Sequence, residues 1–237
     1  MKTNLRAGIL AAGRGERLRR ESSALKPLTI VGGETLIERV LHSMAETGVA
    51  EVTVIINHDS CAVREHVEKR QWPFSLRWIV ETTPSSMHSF LRLIETLARD
   101  GNGGPFLIST VDTVAAPRAY LEFMERAIAE EAATTLALTS PGDDEKPLLV
   151  RTKAGGSRIE AFGEGNQATA GVYLVRPLIL REAEAARRDG LDALRKFFGR
   201  LLERGYHLAG VPIAGSIDVD HPADIGAAEL FLGSARP

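Results

Sequence analysis

Cysteine is nearly absent, with Cys61 the single one in 237 residues. An intrachain disulfide and a zinc centre built on several cysteines are therefore excluded, and a reducing, cytoplasmic setting is expected. Charge of one sign is missing as well. Lys plus Arg total 29 against 31 for Asp plus Glu, a formal charge of -2, so the basic footprint of a dedicated nucleic-acid binder is lacking and any phosphate must be gripped locally. No run of about 18 apolar residues occurs, so no spanning helix and no membrane partner are expected. The apolar stretch at residues 7–12 is too short for a signal-peptide core and runs at once into Arg14, Glu16 and Arg17, so no leader is expected. Three familiar signatures are also missing. No Gly-Lys-Ser or Gly-Lys-Thr triplet is present, Leu18 stands where a dinucleotide fingerprint needs a small residue, and no Gly-x-Ser-x-Gly elbow occurs. Walker-type, dinucleotide-dependent oxidoreductase and hydrolase readings fall with them.

What is present is a globular composition, 44% apolar and 25% charged, long enough to bury a sizeable core. Short apolar runs bounded by turn residues alternate with stretches of helical periodicity, the pattern of strand-helix units in a mostly parallel sheet. Strands are expected at residues 5–11, 51–57, 76–80 and 106–110, with helices at 34–48, 60–70 and 87–99. Further strands at 134–139, 148–152, 157–162 and 170–175 look like an added antiparallel or mixed portion. A helix at 191–204, a strand at 207–213 and a helix from Pro222 close the chain. We read an α/β protein, one domain over residues 1–237 with a small β lobe inserted around 140–175.

The sharpest feature is Leu10-Ala11-Ala12-Gly13-Arg14-Gly15-Glu16-Arg17-Leu18, followed by Lys26-Pro27-Leu28. A glycine-rich turn after a buried strand exposes backbone N–H groups to a phosphate, since missing side chains allow close approach. Arg14, Arg17 and Lys26 add cationic donors, arginine as a fork and lysine as a compact charge. Asp112 follows an apolar strand, and ligands of open sheets bind at that strand end. Asp218 and Asp220 stand before the last helix, where Pro222 suits the first turn and Asp224 has the placing of a capping acid. The lone His58, His88 and Cys61 lack an identifiable partner and are read as structural.

The loop with its Lys-Pro-Leu resembles the signature of the nucleotidyltransferases that make nucleotide-activated sugars. The resemblance extends to Gly33-Glu34-Thr35-Leu36-Ile37-Glu38-Arg39-Val40-Leu41, to Ala170-Gly171-Val172-Tyr173 and to Asp218-Val219-Asp220-His221-Pro222-Ala223-Asp224. It implies a Rossmann-like three-layer fold. It further implies a nucleoside triphosphate over Leu10, Ala11, Ala12, Gly13, Arg14 and Gly15, and a phosphate on a small acceptor that attacks the α-phosphorus and expels pyrophosphate. Arg17 and Lys26 would be the catalytic cations. Asp112 and Asp218, with Asp220 in a secondary place, would hold Mg²⁺, which prefers carboxylate, water and phosphate oxygens. Asp224 is left as structural.

Substrate choice is less explicit. Where such enzymes carry a Gln and then a Gly-Thr-Ala-like turn, this chain has Glu81-Thr82-Thr83-Pro84-Ser85-Ser86. Glu81 would accept from an exocyclic amine of a base, and Ser86 would replace the usual threonine hydroxyl. Glu164, Gly171 and Tyr173 fall in the acceptor region, where the family's Glu-Lys-Pro lysine is absent, so the acceptor is read as a sugar or sugar-like alcohol phosphate. A molybdopterin guanylyl- or cytidylyltransferase is the nearest alternative, since the Asp-Val-Asp-His-Pro segment resembles that branch too. A nucleotide-sensing protein without turnover is the second. Homo-oligomerisation is a class-level expectation.

Overall fold

The structure, a computed structural model, describes residues 5–15, 18, 25–99, 103–116, 118–141 and 147–234. Arg17 lies outside the described residues. In chain order β1 (Arg6–Ala11) is followed by the hairpin of β2 (Ile30–Val31) and β3 (Glu34–Thr35), then α1 (Leu36–Glu46), β4 (Glu51–Ile56), α2 (Cys61–Val67) and β5 (Ser75–Val80). Next come α3 (Ser86–Arg99), β6 (Phe106–Thr110), β7 (Thr113–Ala115), α4 (Ala119–Ala129) and β8 (Thr134–Thr139). The chain continues through β9 (Leu149–Thr152), β10 (Ile159–Phe162), β11 (Gln167–Val175), α5 (Ala183–Arg188) and α6 (Leu194–Glu203). It closes with β12 (Leu208–Pro212), β13 (Ser216–Asp218) and α7 (Pro222–Ser234).

Period-two alternation in the buried strands sets the layers. In β1, Ala7, Ile9 and Ala11 pack with Ile37, Val40 and Leu41 of α1, Val63 of α2 and Phe123 of α4. From the opposite face Ile55, Phe106 and Ile108 pack with Phe90 and Leu93 of α3 and with Phe197 and Phe198 of α6. Gly8 faces that second layer, and a Cβ there would lie 2.7 Å from Leu93 Cδ2, so α3 sits close because the strand carries no side chain at that point.

Among the described residues the central sheet has nine strands. The strands β5, β4, β1 and β6 run parallel side by side, β11 lies antiparallel between β6 and β8, and β12 adds parallel to β8. The expected β lobe is not detached from this sheet. Its strands β9 and β10 pair antiparallel with one another, β9 pairs with the start of β11, and β11 then runs on into the centre. Helices lie on both faces, a three-layer α/β arrangement. No helix among the described residues is long and apolar enough to cross a membrane.

Three departures from the pattern-based expectation have local causes. The first helix starts at Leu36, because Thr35 and Glu38 form a capping box: the Thr35 N–H donates to Glu38 Oε2 at 3.0 Å while Thr35 Oγ1 accepts from the Glu38 N–H. Residues 113–115 form β7, paired antiparallel with β13; a strand this short carries no periodicity. The stretch 177–188 holds a 3-10 turn and α5 that the apolar spacing does not reveal.

Candidate active site

The C-terminal edge of the parallel strands gathers the chemistry, as open α/β sheets do. There β1 runs into residues 12–15 and β6 into Asp112, and the β7–β13 ladder sets Thr113 opposite Asp218, bringing the second acid beside the first. A cleft of about 740 Å³ opens over this edge. Leu10, Ala12, Gly13, Arg14 and Gly15 line it together with Lys26, Asp112, Asp218 and Asp220.

The two loop glycines do different things. Gly15 has φ +59°, and a Cβ there would stand 2.7 Å from Lys26 Cβ, so glycine lets the loop close on the lysine. A Cβ on Gly13 would meet nothing within 4 Å, so its bareness serves whatever enters the cleft and no packing in the protein. Asn57, at the end of β4, pins this loop: its Nδ2 donates to Ala12 O at 3.0 Å, while its Oδ1 accepts from Asp59 N and Ser60 Oγ. In a trans peptide the carbonyl of Ala12 and the N–H of Gly13 point opposite ways, so holding one fixes the other.

Lys26 is nine-tenths buried and bridges two acids. Its Nζ donates to Asp112 Oδ2 at 2.6 Å and also to Asp220 Oδ1. Burial alone would lower the lysine pKa, but the attraction of Asp112 and Asp220 reverses this and holds the ammonium above its ordinary value. Burial likewise pushes Asp112 up, yet the Lys26 charge and hydrogen bonds from Lys26 and Thr110 outweigh it and keep this carboxyl below the usual range. Asp218 goes the other way. Burial and repulsion from Asp112 push it up to about 7, against a hydrogen bond from Thr113 and the pull of Lys26. One part-buried carboxylate is thus neutralised by a lysine, and among the described residues its neighbour pairs with no cation.

The remaining expected residues divide. Asp224 Oδ2 accepts from the N–H groups of Asp220 (2.8 Å) and His221 (2.6 Å), which shapes the turn into α7 and agrees with a structural reading. Ser86 lines the cleft, where its Oγ accepts from Leu194 N at 3.2 Å at the start of α6. The side chain of Ala11 faces the core. Glu81 stands outside the cleft lining and its carboxylate accepts from Arg92 Nε at 2.7 Å, so the amino-bearing base inferred from it loses its support. Glu164 pairs with Arg151 at the surface, 3.0 Å away, also outside the lining. Tyr173 is a core residue with its ring 5.2 Å from that of Phe198. Gly171 (φ +68°) lies under the acids, where a Cβ would come within 2.1 Å of Thr113 Oγ1.

Two lining features escape the sequence reading. Thr83, Ser85 and Ser89 make one wall hydroxyl-rich, and Arg195 stands exposed on another. Arg195 is the second residue of α6, where a cation opposes the helix dipole, and among the described residues no carboxylate pairs with it. That conflict with local preference is the signal by which the sequence would have revealed it.

Comparison with known proteins agrees with this geometry. Residues 7–186 match the family described as the MobA-like NTP transferase domain. The chain is 27% identical over 221 residues to a probable mannose-1-phosphate guanylyltransferase 3 of Arabidopsis thaliana, covering 89% of this chain and 66% of that protein. It is 31% identical over 214 residues to the CMP-5'-(3-aminopropyl)phosphonate synthase of Streptomyces rubellomurinus, covering 86% and 32%. The chain therefore spans about a third to two thirds of the length of these relatives. The solved inositol-1-phosphate CTP transferase from T. maritima shares the fold, with TM-score 0.80 at 18% identity over 99% of this chain and 97% of that one.

Proposed function

The chain belongs to the MobA-like NTP transferase family, and on that premise we propose that it transfers a nucleoside monophosphate unit from a nucleoside triphosphate to a phosphorylated sugar or sugar-like alcohol. An acceptor phosphate oxygen forms a bond to the α-phosphorus as the bond to the β-phosphate oxygen breaks, and pyrophosphate leaves. The observation that carries this reading is the convergence in one cleft of an open glycine loop, a buried lysine and two adjacent carboxylates. Such transfers ask little covalent chemistry of the protein and much positioning and charge neutralisation.

Each residue then has a task. The loop at Gly13 to Gly15, held by Asn57, offers N–H groups to the triphosphate. Lys26 neutralises phosphate charge, Arg14 adds to it from the loop, and Arg17, two residues beyond Gly15 in the sequence, is taken as a further cation. Arg195, which lines the cleft and pairs with no carboxylate among the described residues, takes the acceptor phosphate. Asp112 and Asp218 are the donors for Mg²⁺, since two part-buried carboxylates, one pushed up by its surroundings and by the other, make a place that a divalent cation would relieve and that suits its oxygen preference. When bound, the ion neutralises charge on the phosphate oxygens. Asp220 holds Lys26 and supports the pair.

Pyrophosphate release tests the proposal. The protein is incubated with Mg²⁺, each of ATP, CTP, GTP, UTP and dTTP, and mannose, glucose or inositol 1-phosphate; release in at least one pairing is expected. No release, together with no thermal shift from any triphosphate, overturns it, because a ligand at about a hundred times its Kd stabilises by roughly 2.7 kcal/mol and would be seen.

The glycines give a paired prediction. Gly15→Ala is expected to lower unfolding stability by about 1–3 kcal/mol, the range for backbone strain. Gly13→Ala, with open space at its Cβ, is expected to leave stability within about 1 kcal/mol but to raise the KM for the triphosphate. Urea unfolding and initial rates separate the two, and equal destabilisation by both would contradict it.

A further inference from the structure

The Asp218 carboxylate has only one oxygen engaged. Thr113 Oγ1 donates to Oδ1 at 3.0 Å, and Oδ2 has no hydrogen-bond partner among the described residues. Thr113 is 2% exposed, so water does not compete for this contact. Behind it, Thr110 Oγ1 lies 2.8 Å from Thr113 Oγ1. A hydroxyl has one proton and two lone pairs. The Asp218 carboxylate is a stronger acceptor than a neighbouring hydroxyl, so the Thr113 proton is assigned to it.

The backbone leaves room for this pair and for little else. The register shift in β11 between Thr169 and Tyr173 holds Gly171 at φ +68°. A Cβ there would lie 2.1 Å from Thr113 Oγ1 and 2.6 Å from Thr110 Oγ1. Directly opposite residues of an antiparallel ladder put their side chains on one face, and Thr113 stands opposite Asp218. If packing were the only requirement, valine would fill the place of threonine with the same shape. The buried hydroxyl is the part that packing does not ask for.

We infer that Thr113 is a positioning residue for Asp218: its hydroxyl fixes the rotation of the carboxylate so that Oδ2 is left for a cation shared with Asp112. The inference rests on the transferase reading above, and on its assignment of these acids to a divalent cation. Loss of a group that orients a metal-ligating side chain typically lowers metal affinity about 10- to 100-fold.

The test uses Mn²⁺ as probe, titrated into the full chain without nucleotide and followed by the electron-spin signal of the free ion. Unfolding of each variant in chelator is measured alongside. Thr113→Val is expected to lose about 10- to 100-fold in Mn²⁺ affinity, whereas Thr113→Ser, which keeps the hydroxyl and gives up the methyl, stays within about threefold of the starting protein. Should the valine variant fail to fold, Thr113→Ala set against Thr113→Ser makes the same comparison. Unchanged affinity in the valine variant overturns the inference. So does a serine variant as weak as the valine one, since affinity would then follow packing and not the hydroxyl. If the unsubstituted protein binds no Mn²⁺ yet is stabilised by a triphosphate, the inference fails and the nucleotide reading survives; if it responds to neither, both fail.

Discussion

Replacing Lys26 by alanine is expected to lower turnover by about a hundredfold or more, the usual effect of removing an electrostatic donor to a transition state. The same variant is expected to bind a divalent cation more tightly when no nucleotide is present. The second effect follows from what the lysine does at rest. Its ammonium stands 2.6 Å from Asp112 and also contacts Asp220, so it occupies the charge position beside the carboxylates that a metal ion would take. An incoming ion must compete with it, and removing the competitor favours the ion. Stability changes as well. On the sequence alone this variant is expected to lower turnover more than fold stability, but the lysine side chain is only 10% exposed, and removing it leaves two part-buried carboxylates without their cation, so stability is expected to fall as well. The alanine variant should therefore unfold earlier in chelator and recover part of the loss when Mn²⁺ is added. Unchanged turnover would remove Lys26 from the mechanism. Weaker Mn²⁺ binding would show that the lysine shapes the metal place and does not compete for it.

The parts legible in the sequence were those whose chemistry is local. The glycine loop after an apolar strand and the Lys-Pro-Leu segment state their role within a few residues, and both line the cleft. The parallel strands could be placed because burial on both faces makes them continuous apolar runs, as in β4 and β6. Asp112 and Asp218 are nominated as a pair through the resemblance, but the element that joins them is not read. What joins them is the ladder between β7 and β13, each of three residues, too short for a period of two to register. Asn57 was invisible for a related reason, since it reads only as the end of the second strand, and the fold alone shows it holding the carbonyl of Ala12. Glu81 misled because a carboxylate at a suggestive position looks free until Arg92, a helix away, is seen to hold it.

At pH 8 and without metal, Asp218→Asn is expected to make the protein more stable while lowering turnover by about 10²–10³-fold. The stability gain comes from relieving a part-buried charge held next to another. Asp218, ordinarily near 3.8, is pushed up to about 7 by burial and by repulsion from Asp112. Between those values the folded protein keeps a proton that the unfolded chain gives up. The folded state therefore binds more protons, and stability falls as pH rises from about 4 to 7, then stays at its lower level above 7. Asparagine carries no charge at any pH, so this contribution to the slope disappears, while its side-chain oxygen still accepts the Thr113 hydroxyl. Urea unfolding in chelator at pH 5 and pH 8 reads the difference: the gap between variant and parent should be wider at pH 8. A variant less stable than the parent at pH 8 would mean that Asp218 is not a charge held against its own solvation. The loss of turnover has the same origin, because the oxygen that destabilises the free protein is the one whose negative charge attracts a cation to the cleft. A site that stores repulsion between two acids until an ion arrives gives up stability for affinity, and this substitution measures both sides of that exchange in one protein.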